Sequence, residues 1–501
     1  MCLPFHDGGN APLLPRSSLE YTLMKASWCP RLRARVARAI VFSGAAFCAV
    51  SCQSYRAQPL DLAAHNRVFL ARTVDPSDLS QFAQTLATGA QGDSFFVADD
   101  AISAYEAEAI AMVFNAQLRS ARATAAVMRA TSENSGLWQD PSVGVDLTRL
   151  LDGSNDAWEA FGNISLTIPL WGRLEVEQSR DALAFAAQIA RVHADEWRVR
   201  FELRRAWSEW AALELEVAIM RGFIENLERI MVVVEAMETR GEMARVEARL
   251  FPMERALARQ RLTESEGAQQ RARLVIHSLM GLPPEAQFRA APGRIDDYAA
   301  FLMHSEYALR DGADLVKFHP SLVVMDADYL LAERSLELEI RKQYPDLVIG
   351  PGFGTQDGQR QFVLGLGVTL PFLNANRQAI AEAFAARELA RIRAEAALET
   401  LLDQLAVAHS ELSSARASRA IVELEVIPLV EAQDADLRRL AQQGGEVDAL
   451  LLLGSLQRQQ DAKLNLINST RLEAFASLHV LEVIDSPSVP TSATIPPEIQ
   501  P

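Results

Sequence analysis

The residue types that cut bonds, carry electrons or hold metals are sparse in this 501-residue chain, and their spacing is wrong for that work. The eight histidines stand at 6, 65, 193, 277, 304, 319, 409 and 479. None is three or four residues from another, the spacing that would put two imidazoles on one helix face around a shared ion. There is no phosphate-cradling glycine loop, no GxSxG and no HExxH. Adjacent acids such as Asp296 and Asp297 read as solvated surface. The four cysteines, Cys2, Cys29, Cys48 and Cys52, all fall in the first tenth of the chain. The body therefore has neither a thiol nucleophile nor a disulfide framework. No catalytic residue, metal ligand or cofactor is expected, and the chain does not read as an enzyme.

One cysteine has a different chemistry. From Met24 the chain carries a basic stretch (Lys25, Arg31, Arg33, Arg35, Arg38), then AIVFSGAAFCAV, then Ser51 and Cys52. This is the layout of a secretory signal, whose apolar part is too short to span a bilayer. AVSC at 49–52 resembles the lipobox of bacterial lipoproteins, with Ala49 where Leu is usual. The resemblance implies that Cys52 becomes the acylated N-terminus, leaving 1–51 as signal peptide, with Met1 or Met24 as the start, and 52–100 as a lipid-anchored extension. Gln53 follows, so the Asp that retains many such lipoproteins at the inner membrane is absent. Beyond Cys52 no run approaches the ~20 apolar residues of a membrane helix. Any crossing must be made of strands.

Those strands are announced by their pattern. SVGVDLTRLL sets Val143, Val145 and Leu147 against Gly144, Asp146 and Thr148, and NISLTI sets Ile164, Leu166 and Ile168 against Asn163, Ser165 and Thr167. Further on, Leu347, Ile349 and Phe353 alternate with Val348, Gly350 and Gly352, and Phe362, Leu364, Leu366, Val368 and Leu370 alternate with Val363, Gly365, Gly367 and Thr369. Alternation with a turn between is a hairpin. The chain has two, at about 140–170 and 345–371. Their polar face of Gly, Ser, Thr and Asn suits a lumen better than an open surface. Trp138 and Trp171 flank the open end of the first hairpin and Trp158 its turn, where the aromatic girdles of a membrane barrel would sit.

The hairpins belong to an internal repeat. NAQL at 115–118 matches HPSL at 319–322, and Pro141 matches Pro345, both at an offset of 204; Gly241 matches Gly445 at the same offset, and Pro169 matches Pro371 at 202. A unit of about two hundred residues is a duplicated domain rather than an array. After Pro169 and Pro371 each copy turns helical. Leu183, Ala187, Ala190, Ala194, Trp197 and Phe201, and again Ala383, Ala386, Ala390, Ala394, Ala397 and Leu401, step by three and four, a seam in which Ala permits close helix approach. Bends are expected at Gly222 and Pro428. Gly241 and Gly445 mark tips where the chain reverses. Composition agrees: 49% hydrophobic with only 7% aromatic favours long helices, and a net charge of −16 argues against nucleic acid as a partner.

With hairpin, proline junction, long helix, glycine tip and returning helix all present twice, residues 100–485 resemble the outer-membrane efflux protein family, the TolC-like channels. The motifs are TIPLWGR and TLPFLNANR at the strand-to-helix junctions (Pro169, Pro371), HPSL, and RGEM and GGEV at the tips. The resemblance implies a mainly α chain with a small β part, forming a homotrimer in outer-membrane lipid. Three chains would give a twelve-stranded barrel and a periplasmic tunnel of antiparallel coiled-coil helices. A periplasmic adaptor would dock at the tips (Arg240, Gly241, Glu242; Gly444, Gly445, Glu446), and an inner-membrane transporter would supply energy. Repeats at 101–284 and 305–485 flank a linker at 285–304, and 486–501 form a disordered tail. Two departures stand out. Asn115 is followed by Ala116 where Asn-Pro is usual, and Leu451 and Gly454 occupy positions where some members carry rings of aspartate. The nearest acids, Glu446 and Asp448, are the candidate constriction. The competing reading is a lipid-anchored periplasmic coiled-coil scaffold or adaptor, although adaptors usually carry one helical hairpin rather than two.

Overall fold

The computed structural model describes residues 55–73, 101–149, 158–288, 317–356, 359–368, 370–442 and 448–484. The signal segment, Cys52, Thr369 and the second tip (Gly444, Gly445, Glu446) lie outside them. The chain divides into two units, Met1–His65 and Asn66–Pro501. In the first, Asp61 accepts the Ala64 N–H at a helix start (2.8 Å). All that follows concerns the second.

Helix α1 (Ala104–Phe114) opens in a capping box. Ser103 Oγ accepts the Glu106 N–H (3.3 Å) and the Glu106 carboxylate accepts the Ser103 N–H (2.7 Å), satisfying donors that a helix start leaves open. Helix α2 (Ala116–Glu133) follows after one residue, then strands β1 (Ser142–Arg149) and β2 (Trp158–Ile168). Helices α3 (Arg173–Arg240), α4 (Arg245–Ala248) and α5 (Leu250–Met280) complete the first copy. The second has α6 (Pro320–Arg341), β3 (Leu347–Gln356), β4 (Gln359–Val368), α7 (Arg377–Ile421), a π-helical turn (Val422–Val426), α8 (Ile427–Gln442) and α9 (Ala449–Ile484).

The landmark NAQL/HPSL is a pair of equivalent caps. Asn115 Oδ1 accepts from the N–H groups of Gln117 and Leu118 (2.9 and 3.1 Å), while its amide donates to the Leu279 carbonyl at the end of α5 (2.8 Å). His319 Nδ1 accepts from the Ser321 N–H (3.3 Å) and hydroxyl (2.7 Å), and its ring faces the Glu482 backbone carbonyl at the end of α9. Pro320 takes the first helical position, where a missing N–H costs nothing. In each copy, one side chain both starts the entry helix and holds the end of the returning one.

Helix α3 runs through the centre of the packing. Val199, Leu203 and Trp207 meet Ile110, Leu118, Ile276 and Met280 of α1, α2 and α5. Trp197 and Phe201 meet Ala408, Leu412, Leu478 and Leu481 of α7 and α9. Toward the tip, Met220, Ile224 and Leu227 meet Phe251, Ala258 and Leu453. The seam read from the sequence is buried in α3 at Ala187, Trp197 and Phe201, and in α7 only at Leu401; Ala383, Ala390, Ala394 and Ala397 are half-buried and Ala386 is exposed. Two buried acids fix how the helices face one another. Glu108 is held by Arg204 (2.6 Å) and Arg200 (3.0 Å), and Glu473 by Arg419 (3.1 Å) and Arg416 (3.3 Å).

The expected bend at Gly222 is not there: α3 continues through it for 68 residues, about 100 Å at 1.5 Å each. Helical glycine costs only about 1 kcal/mol against Ala, too little to break a helix packed along its length. Pro428 behaves differently. It sits two residues past the π-helical turn, after Ile427, where an inserted residue accommodates the missing N–H and the ring.

Burial holds the His319 imidazole below its usual pKa of about 6.5, with the Glu482 carbonyl opposing that in part. A group that is neutral when folded but takes up a proton when unfolded makes stability fall as pH drops below the unfolded value. Protonation also turns Nδ1 from acceptor to donor, ending the cap. Thermal unfolding by circular dichroism at about pH 7.5 and about pH 5 should show a larger acid loss for the native chain than for His319→Asn. That variant keeps a capping oxygen, as at Asn115, and does not titrate.

Candidate functional site

The four strands make one antiparallel sheet in the order β1-β2-β3-β4, so the β2–β3 ladder joins the two copies. Register then sorts the side chains. Val145 opposes Gly162, which opposes Phe353, which opposes Phe362; Leu166 opposes Ile349, which opposes Leu366; Ile168 opposes Leu347, which opposes Val368. Directly opposed residues share a face. Every apolar alternation read from the sequence therefore falls on one face of the sheet. The other carries Gly144, Asn163, Ser165, Thr167, Gly350 and Gly365.

No buried core cluster includes a residue of the apolar face, although Leu166, Ile168, Leu347 and Ile349 are half-buried. Val143, Val145, Leu147, Phe353, Phe362 and Leu366 are 60–74% exposed, whereas a water-soluble sheet packs that face on a core. At about 3.3 Å per residue the ten residues of β3 span about 33 Å, and at a tilt of about 45° about 23 Å, close to the ~25 Å apolar band of a membrane barrel. Aromatic side chains mark both limits: exposed Trp138 and Trp171 near the helices, with Trp171 against Tyr344 at 5.6 Å, and exposed Trp158 beside Arg149 near the first turn. Among the described residues β1 pairs only with β2, and β4 only with β3. Two ladders are open.

On the polar face, Phe161 lies across Gly352 and Gly354 of the neighbouring strand. A Cβ at Gly354 would meet the Phe161 ring and stand 2.8 Å from its Cα and 2.7 Å from the Ala160 carbonyl. The glycines thus leave room for an aromatic ring against the sheet, a role that alternation did not reveal; the run of glycines at every second residue is the signal for it.

Pro169 and Pro371 do mark the change from strand to helix, but the turning is done after them. Trp171 and Gly172 take positive φ (76° and 67°) before α3, and Ala375 and Asn376 (48° and 52°) before α7. Both corners are held by the end of α6 and the loop after it. Arg341 donates to the Trp171 carbonyl (3.3 Å), Arg173 pairs with Asp346 (3.1 Å), Asn376 donates to the Glu339 carbonyl (2.9 Å) and Gln343 to that of Ala375 (2.7 Å).

At the far end, Gly241 (φ 75°) closes α3: its N–H bonds the Glu238 carbonyl (3.0 Å) and the Glu242 N–H that of Met237 (2.9 Å). Arg240 and Glu242 pair with each other (2.9 Å) in solvent. Asp448, exposed, caps α9 through the Leu450 N–H (2.9 Å). Among the described residues no group of three or more His, Cys, Asp or Glu is placed to hold a metal, and no helix is long and apolar enough to cross a membrane.

No family model matches the chain, and no curated protein matches it in sequence. Solved structures do match in fold. The outer-membrane channel OprN aligns over 76% of this chain and 90% of its own at TM-score 0.63 and 14% identity. CusC, from a study of transmembrane channel formation, aligns over 79% and 94% at 0.62 and 14%. The outer membrane protein VceC of Vibrio cholerae aligns over 76% and 96% at 0.61 and 14%.

Gly354→Val should drive the valine methyls into Phe161 and the Ala160 carbonyl, and sharply lower the amount of folded protein recovered from membranes. Phe161→Ala in the same chain should restore part of it, because the ring is the larger obstacle.

Proposed function

We propose that this chain, whose fold is that of the TolC-like outer-membrane efflux channels, is the passive exit duct of a tripartite efflux or secretion system, assembled as a homotrimer. The observation that carries the reading is a sheet whose apolar face joins no buried core and whose two outer ladders are open. In hydrocarbon every backbone N–H and C=O must be paired within protein, so such a sheet is tolerable only when closed on itself. Four strands are too few to enclose a lumen. Three copies supply twelve.

The helices support the same assembly. Twenty-one side chains of α3 are buried within the chain, against three of α7. Phe384, Leu389, Ile392, Val407 and Ile421 of α7 are exposed apolar groups that a neighbouring copy would cover. Arg240, Gly241 and Glu242, with Gly444, Gly445 and Glu446, form the end offered to a periplasmic adaptor, through which an inner-membrane transporter would drive export. Glu446 and Asp448 are the acids this reading puts forward for the constriction. No side chain need do chemistry; lumen width and charge set what passes. Cys52 adds a lipid anchor in the outer membrane. A scaffold or adaptor reading leaves the apolar sheet face without an occupant.

Purified in mild detergent, the protein should run as a trimer and conduct ions across planar bilayers, more so when the tips are disrupted. A persistent monomer, or no conductance even then, would contradict the duct. Mass spectrometry of the membrane-extracted protein should find no unmodified peptide running through residues 50–54; finding one would remove the anchor and leave the duct standing.

A further inference from the structure

We propose that α7 of one copy packs along α2 of the next, and that Glu399 and Asp403 of the first hold Arg119 of the second. This rests on the trimeric reading above and names the helix seam and the ion pair that would close it.

Helix α7 carries a second seam that the single chain leaves open. Leu401, Ala408 and Leu412 are buried against α6 and α9. On the opposite side Leu389, Ile392, Ala396, Glu399, Asp403 and Val407 step by three and four, and all are exposed. Glu399 and Asp403 stand two residues before and two after Leu401, so at about 100° per residue they point away from it. Helix α2 has a matching flank. Ala116, Ser120, Ala123, Val127 and Ala130 step by four and three, all exposed, on the side away from buried Leu118 and Ala125. Arg119 stands beside Ser120.

The order of the helices follows that of the strands. Helix α2 leads into β1, β2 into α3, α6 into β3 and β4 into α7, while α2 packs on α3, α3 on α6 and α6 on α7. Helices α2 and α7 are therefore the two flanks of the layer, as β1 and β4 are the two edges of the sheet. A ring that joins β4 to the next β1 brings α7 to the next α2.

Charge selects the same partner. Glu399 and Asp403 are four residues apart, a like-charge spacing that disfavours an isolated helix. Among the described residues neither makes a side-chain hydrogen bond or ion pair, and nor does Arg119. The Arg119 charge instead bears on a second cation, Arg72, which is held at the Gly281 carbonyl and over the Phe114 ring. Packing the α7 stripe on an uncharged surface would bury two uncompensated carboxylates, which is strongly unfavourable. A small-residue flank with a free guanidinium removes that cost.

The charges also lie level. Helix α6 runs antiparallel to α3, pairing Asp346 with Arg173 and Asp328 with Arg191. Leu322, six residues before Asp328, is then level with about residue 197 of α3, and it packs on Leu401. Asp403, two residues further along α7, is level with about residue 199. Arg122 of α2 pairs with Glu196 (2.6 Å). Arg119, three residues earlier on an antiparallel helix, is level with about residue 199 as well. Rotation about an axis along the helices leaves height unchanged, so Asp403 of one copy and Arg119 of the next meet on one level.

The test uses the full-length protein in mild detergent and reads the temperature at which trimers dissociate to monomers on electrophoresis. Reversing the acids (Glu399→Lys with Asp403→Lys) and reversing the cation (Arg119→Glu) should each lower it, and the three changes together should restore most of the loss. All three side chains are exposed in the single chain, so reversal does not disturb its fold. Arg393→Glu, exposed on another side of α7, should leave dissociation unchanged. Native stability in both reversed variants, loss without recovery in the triple variant, or an equal loss with Arg393→Glu would each overturn the seam and leave the trimer standing, with the α7 stripe free for a different partner. A native chain that is monomeric in mild detergent would remove the duct reading itself, and the seam with it.

Discussion

Backbone groups at the edge of a sheet have only two fates, pairing or hydration, and hydrocarbon removes the second. Among the described residues the β2–β3 ladder pairs the inner edges of the two hairpins and leaves the outer edges of β1 and β4 open. The rest of the molecule follows from that remainder. The register that places Val145, Phe353 and Phe362 side by side gathers the apolar residues on the face that lipid would meet, and leaves small residues where the sheet must curve inward. Glycines 352 and 354 let Phe161 lie across the neighbouring strand. A larger residue at either position would hold the neighbouring strands apart.

The helical part answers a related demand with different means. Helix α3 finds most of its partners within the chain, packing on α1, α2 and α5 along one stretch and on α7 and α9 along another. Helix α7 does not, and its alanine seam is only half-buried. The two copies thus fold alike but are used differently, one as the inner support of the subunit and the other as its open flank. Alanine packing alone is permissive about how two helices rotate against each other. Glu108 between Arg200 and Arg204, and Glu473 between Arg416 and Arg419, remove that freedom, because a buried carboxylate turned away from its cations would lose compensation it cannot recover from water.

What could be read in advance was whatever repeats with a fixed period. Alternation gave the hairpins to within a few residues, and proline and glycine spacing gave the duplication, because both reflect local geometry that every strand and turn must obey. The features that escaped depend on contacts distant in sequence. Nothing in VELEV at 422–426 distinguishes a π-helical turn from ordinary helix, and only Pro428 beyond it gives a reason for one. Gly222 looked like a break because its intrinsic cost is visible and the packing that outweighs it is not. The prolines at 169 and 371 drew attention to the junctions, while the backbone turns at Trp171–Gly172 and Ala375–Asn376, fixed by groups about 170 and 35 residues away on the α6 side, were legible only as the oddity of two dissimilar linkers, LWGR and FLNANR, at matching places.

The paired caps have diverged in one respect that assembly would amplify. Asn115 and His319 occupy the same corner of the two copies, each starting a helix and clasping the end of another. An amide is indifferent to acidity and an imidazole is not. Around a closed ring of three chains there would be six such corners, alike at neutral pH and alternating in charge once the imidazoles took up protons. Acid would then lower the effective symmetry of the ring from sixfold to threefold, which gives a duplicated gene product a means of distinguishing its two halves that a ring of six identical units would lack.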